Sequence, residues 1–151
     1  MSYWRLHYHL VWATYGREPV IDAAREAIIR RMLSGKAHEL RIFLHAIGGT
    51  ADHLHVVASI PPTLGVAECI RQFKGASAHA VNHAASAART FRWQRRYGAL
   101  SLSESHVAAA ATYARDQQRH HAHGSLIAPY EQSSDDDDPP SRPQRRHSQP
   151  A

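Results

Sequence analysis

The chain has 151 residues, 43% of them hydrophobic, and a single cysteine, which allows one domain with its own core and excludes an internal disulfide or a multi-cysteine zinc site. The net charge of +5 understates the body of the chain: with the five acidic and three basic residues of 131–151 set aside, fifteen basic and eight acidic residues remain, a net +7. That surplus favours a polyanionic partner, most often nucleic acid.

The opening residues, MSYWRLHYHLVW, show neither a charged leader followed by an apolar run nor a membrane-length stretch, so a soluble cytoplasmic protein is expected. Residues 4–14 alternate and are rich in aromatic and β-branched types, the pattern of a strand. Asp22 is placed to cap a helix running to about Glu39, with Ile28, Ile29, Met32 and Leu33 on its apolar side. Residues 41–48 read as a second strand, and Gly48-Gly49-Thr50 as the turn into a third at 53–60, which Pro61-Pro62 stops. Residues 66–87 read as a helix that buries Ile70, Phe73 and Val81, slightly weakened by Gly75, with Cys69 as a small buried apolar residue.

After Phe91 comes a basic, aromatic segment, then a short alternation at 99–102. Ser103 is placed to cap a last helix over about 104–121, with Gly124 near its end. From Glu131 the chain is almost devoid of apolar residues and holds four consecutive aspartates and repeated prolines, so 131–151 is expected to be a disordered tail behind a domain spanning 1–130. The element order βαββαβ plus one helix predicts an α+β fold of the ferredoxin-like kind, with an antiparallel sheet. That topology hosts RNA binders, enzymes and metal chaperones, so function must be read from particular residues.

Two motifs carry chemistry. In ADHLHVVASIPP, His53 and His55 share one face at the start of the third strand. Two imidazoles one pleat apart can hold a divalent metal, although such pairs also occur as surface or hydrogen-bonded histidines. In YARDQQRHH, Tyr113 and Gln117 stand one helical turn apart on a common face. A phenol can serve as a covalent nucleophile, or simply pack. Taken together, His53, His55 and the amide oxygen of Gln117 complete three ligands and leave positions for a phosphate oxygen and water, with Tyr113 placed to attack. No carboxylate belongs to this trio, which makes Mn²⁺ at least as natural as Mg²⁺; Asp52 and Asp116 read as turn or surface carboxylates.

The segments HLVWAT, GGTADHLHVVASIPP, IRQFKGASAHAVN, FRWQRRYGALSLSES and YARDQQRHH together resemble the single-tyrosine HUH transposases, including the REP-associated tyrosine transposases and the small insertion-sequence enzymes. The resemblance implies that His53, His55 and Gln117 are metal ligands and Tyr113 the nucleophile. It implies attack on a phosphodiester of single-stranded DNA, a 5′-phosphotyrosyl link, a free 3′-OH and later rejoining, without a nucleotide cofactor. It further implies recognition of DNA hairpins and a homodimer whose active sites can be shared between subunits. Arg92, Trp93, Arg95, Arg96 and Tyr97, with Arg71 and Lys74, offer phosphate contacts and stacking partners for bases, the alternative being solvated charges and core aromatics.

Four residues depart from the family pattern: Thr50-Ala51 before the aspartate, Ala78 in GASAHAVN, and Ala114 after the tyrosine. All four spare the chemical groups. A hairpin-binding protein that no longer cuts is the alternative reading, and a water-using phosphodiesterase a more distant one.

Overall fold

The computed structural model describes residues 2–84 and 90–117. Four strands, β1 (His7–Ala13), β2 (Phe43–Gly49), β3 (His53–Ser59) and β4 (Gly98–Leu102), alternate with α1 (Ala23–Glu39) and α2 (Val66–Ala84) and are followed by α3 (Val107–Arg115). Single 3₁₀ turns at Tyr15–Arg17 and Glu104–His106 precede α1 and α3. The sheet order is β2-β3-β1-β4 with every neighbouring pair antiparallel. This is the α+β, split βαβ arrangement expected from the element order.

The period-two alternation divides the sheet into two differently covered faces. Leu10, Trp12, Leu54, Val56 and Ala58 meet Ile29 and Leu33 of α1 and Ile70 and Phe73 of α2 in the main core. On the opposite face Ala46 and Val57 receive Ala110, Ala111 and Ala114 of α3. Alanine on the helix side lets α3 lie close to the strands, and Gly48 lets it lie closer still. A Cβ on Gly48 would stand 1.6 Å from the carbonyl oxygen of Ala114.

Several local features follow the sequence closely. The Asp22 side chain accepts from Arg25 N at 2.8 Å and caps α1. Ile29 and Leu33 are buried on α1, and Cys69, Ile70, Phe73 and Val81 on α2. Burial pushes the Cys69 thiol up to about 12, so it behaves as a small apolar residue.

Others differ. The first strand starts at His7 rather than residue 4, since Tyr3 and Trp4 are exposed. Gly48 and Gly49 end β2 rather than make the turn, which is Thr50–Asp52 and is closed by Thr50 N donating to His53 O at 3.1 Å. Ser103 precedes the last helical segment as anticipated, but its side chain makes no cap bond there, and a 3₁₀ turn intervenes before α3. The expected end of α2 at residue 87, the helix beyond 117, Gly124 and the tail at 131–151 lie outside the described residues. Among the described residues no helix is long and apolar enough to cross a membrane.

Candidate functional site

His53 opens β3 and is buried. Its Nδ1 lies 2.6 Å from Asp52 Oδ1 and 2.9 Å from Thr50 Oγ1. An ionised carboxylate only accepts, so Nδ1–H donates to it and the Nε2 lone pair of a neutral ring points the other way. In that direction stands Gln117 Oε1, 3.4 Å from Nε2. The amide is fixed in this orientation because its Nε2 donates to the Tyr113 carbonyl at 3.1 Å, which leaves Oε1 toward His53.

Asp52 is itself held. Thr14 N donates to its carbonyl and Ile21 N to that of Ala51, both at 2.8 Å. Burial alone would raise its carboxyl, but hydrogen bonds from His53 and Thr50, with the charge of Arg17, bring it below the usual carboxylate range. Asp52, read from sequence as a turn or surface carboxylate, thus orients the imidazole beside it.

His55 follows on the same face, fully buried, its ring centroid 5.1 Å from that of His53. Its Nδ1 lies 2.8 Å from Nε2 of His9, a buried β1 residue that sequence reasoning did not single out. Tyr113 sets its ring edge-on to both, with centroids 6.0 Å from His55 and 6.3 Å from His9. The described residues of one chain therefore gather His53, His55, Gln117 and Tyr113 on the α3 face of the sheet. Two imidazoles and an amide oxygen form a nitrogen and oxygen donor set of a kind that a divalent metal can accept. Among the described residues no group of three His, Cys, Asp or Glu is arranged to hold a metal.

The expected DNA-binding residues divide. Trp93 is turned into the core, its indole N–H donating to Ser77 Oγ at 2.9 Å and its ring edge-on to Trp12. Arg71 pairs with Glu68 at 2.6 Å and lines a cavity of about 470 Å³ between α1 and α2, across the sheet from Tyr113. Arg92 lies 4.0 Å above the Tyr15 ring. Arg95 and Tyr97 are exposed, and Arg96 is half-buried.

Lys74, on α2, reaches the same loop from the inside. Its ammonium donates to the carbonyls of Gln94, Arg95 and Arg96 at 2.8, 3.2 and 2.9 Å. It therefore organises the basic loop from beneath. Lys74→Met is expected to cost about 1.5–3 kcal/mol, the range for hydrogen bonds to a charged group. Urea denaturation measures the loss, and hydrogen exchange should show faster amide exchange across 92–97.

A second polar cluster pins α3 to the sheet. A register shift between Leu44 and Ala46 leaves His45 as the extra residue of β2. Its Nε2 reaches Ser59 Oγ at 2.6 Å. His7 Nδ1 meets the same hydroxyl at 2.6 Å, and its Nε2–H donates to Glu104 at 2.7 Å, just before α3. At the far end of the helix Arg115 donates to the His45 carbonyl at 2.7 Å. Burial, followed by the charge of His7, outweighs the pull of Glu104 and places His45 below the ordinary imidazole range.

That shift has a sign. Between the lowered folded value and the ordinary value near ~6.5 the unfolded chain binds the extra proton, so stability falls as pH drops through this window. The urea midpoint should decline from pH 7 to 5, and decline less steeply in His45→Gln.

Residues 2–117 match the family described as "Transposase IS200 like". Among solved structures, the chain is similar to a candidate transposase from Deinococcus radiodurans R1, with 25% identity and a TM-score of 0.59 over 75% of this chain and 92% of that one. It also shares its fold with a REP-associated tyrosine transposase bound to a REP hairpin, at 14% identity and a TM-score of 0.61, over 83% of this chain and 76% of that one. No match was found among curated proteins. Since the family match runs from the first described residue to Gln117, through every strand and helix of the described residues, the chain belongs to the IS200-like transposases.

Proposed function

We propose that this transposase is a metal-dependent DNA strand transferase that cuts and rejoins single-stranded DNA through Tyr113 and recognises DNA hairpins. The observation that carries the reading is the convergence of His53 Nε2, Gln117 Oε1 and the rings of His55 and Tyr113 on one face of the sheet. The hairpin held by the REP-associated neighbour and the net +7 of residues 1–130 support hairpin DNA as the partner.

His53, His55 and Gln117 would hold Mg²⁺ or Mn²⁺. Such a cation, when bound, polarises a phosphate and offsets the charge that builds on its oxygens. Asp52 and Thr50 keep the His53 ring in place, and the carbonyl of Tyr113 does the same for the Gln117 amide. The Tyr113 oxygen attacks phosphorus, the bond from phosphorus to the 3′ oxygen breaks, and the phenolic proton is recovered on that oxygen as a free 3′-OH. The link left behind is a phosphotyrosine ester. Because the phosphodiester bond is exchanged rather than hydrolysed, rejoining needs only the reverse attack by a 3′-OH.

Arg92, Arg95, Arg96 and Tyr97 form the outer surface for backbone and bases, ordered by Lys74. In a homodimer each protomer would carry its own tyrosine beside its own histidines, as in the single chain described here. The test is to incubate the full chain with Mn²⁺ and single-stranded oligonucleotides from the DNA flanking its gene, each holding a hairpin. A covalent adduct mapped by mass spectrometry to the Tyr113 peptide is expected. Salt-sensitive hairpin binding with no adduct at any metal concentration would overturn the cutting reading in favour of a binding protein.

A further inference from the structure

Resting on that reading of the site, we infer that His9 is a positioning residue: it fixes the tautomer of His55 so that Nε2, and not Nδ1, is the nitrogen offered to a cation. His9 stands in the middle of β1, opposite Val57 on one side and Leu100 on the other, and is 1% exposed. Its ring and that of His55 are inclined by only 22°, with His9 Nε2 2.8 Å from His55 Nδ1. Two imidazole nitrogens at this separation share one proton.

Only two arrangements of neutral rings satisfy the contact. If His9 Nε2 carries the proton, His55 Nδ1 accepts, the His55 proton sits on Nε2, and that nitrogen has no lone pair to give. If His55 Nδ1 carries it, His9 Nε2 accepts and His55 Nε2 is a competent ligand. A ligand role for His55 therefore requires His9 to be an acceptor through Nε2, with its own proton on Nδ1. The two histidines of the strand are thus oriented by different chemistry: a carboxylate for His53 and an imidazole for His55.

His9 also faces the Tyr113 ring edge-on at 6.3 Å. The β1 histidine is consequently packed against the nucleophile as well as bonded to the ligand. A purely packing role and a tautomer-setting role predict different outcomes for substitutions that preserve shape.

The experiment compares wild type with His9→Phe, which fills the space without an acceptor, and His9→Gln, which restores a carbonyl oxygen. Long-range ¹H–¹⁵N NMR reads the His55 tautomer in the metal-free protein, and titration with MnCl₂ followed by electron paramagnetic resonance reads affinity. Wild type and His9→Gln should show His55 protonated on Nδ1. His9→Phe should lose that preference and bind Mn²⁺ about 10–100-fold more weakly, the range for removal of a residue that orients a metal ligand.

If His55 keeps Nδ1–H in His9→Phe and Mn²⁺ affinity is unchanged, His9 is a packing residue and the inference fails. Wild type binding no Mn²⁺, or binding it equally well in His53→Ala, would instead remove the metal reading, while the tautomer measurement would still decide what His9 does to His55. Should His9→Phe fail to fold, loss of Nδ1–H in His9→Leu with retention in His9→Gln supports the assignment, and retention in both overturns it.

Discussion

Tyr113→Phe is expected to abolish adduct formation, with a loss of about 10⁴-fold or more, the size that follows removal of a covalent nucleophile. The substitution separates chemistry from architecture unusually well at this position. The Tyr113 ring is 3% exposed and packs beside His9 and His55, and phenylalanine retains that ring and its contacts. Gln117 is oriented by the backbone carbonyl of residue 113, not by the phenol, so the third donor keeps its place. Stability should move by no more than one hydrogen bond of the phenol contributes, about 0.5–1.5 kcal/mol, and Mn²⁺ affinity and hairpin affinity should remain at wild-type levels. Adduct bands on denaturing gels, a hairpin titration at two salt concentrations and a Mn²⁺ titration check the three parts. An adduct of undiminished yield in the variant would assign the nucleophile to another residue.

The features legible from sequence are those whose cause is local. His53 and His55 had to share a face because strand side chains alternate, and Tyr113 and Gln117 had to share one because a helix turns every 3.6 residues. The Asp22 cap and the buried side of α2 follow from similarly short spacings. What the sequence hid depends on partners far along the chain. His9 meets His55 across 46 residues, through a register of β1 on β3 that no local pattern encodes.

The same holds for the basic loop. FRWQRRY reads as a uniform surface, yet Trp93 closes the core against Trp12 while Arg92 lies over Tyr15. Lys74 looks like one more phosphate contact until its three carbonyl partners, twenty or more residues away, are seen. Asp52 is next to His53 in sequence, but a turn carboxylate and an orienting one are written identically. Only the Thr50–Asp52 backbone, pinned to Thr14 and Ile21, distinguishes them. The side chains proposed to hold a cation were therefore readable, and the residues that aim them were not.

Gly48→Ala should be the most damaging of the single-methyl changes available in the described part of the fold. The new Cβ would lie 1.6 Å from the Ala114 carbonyl oxygen and 2.5 Å from its carbon, both backbone atoms of α3. No rotamer relieves such a contact, so the helix must retreat by about 1.5 Å or more to reach van der Waals distance. That movement lifts Ala110, Ala111 and Ala114 from Ala46 and Val57. It also carries Tyr113 and Gln117 away from His55 and His53. Overpacking of this kind costs about 1–3 kcal/mol, and a displacement near 1 Å at reacting groups costs on the order of 10²-fold in rate. The expected result is a lowered urea midpoint together with an adduct rate reduced by about 10²-fold or more. Gly35→Ala and Gly75→Ala supply the contrast: both lie within helices where an added Cβ meets nothing within 4 Å, and each should stabilise the protein by about 0.5–1 kcal/mol with activity unchanged. A Gly48→Ala protein as stable and as active as those two would mean that α3 does not need its close seat on β2 to bring the tyrosine to the histidines.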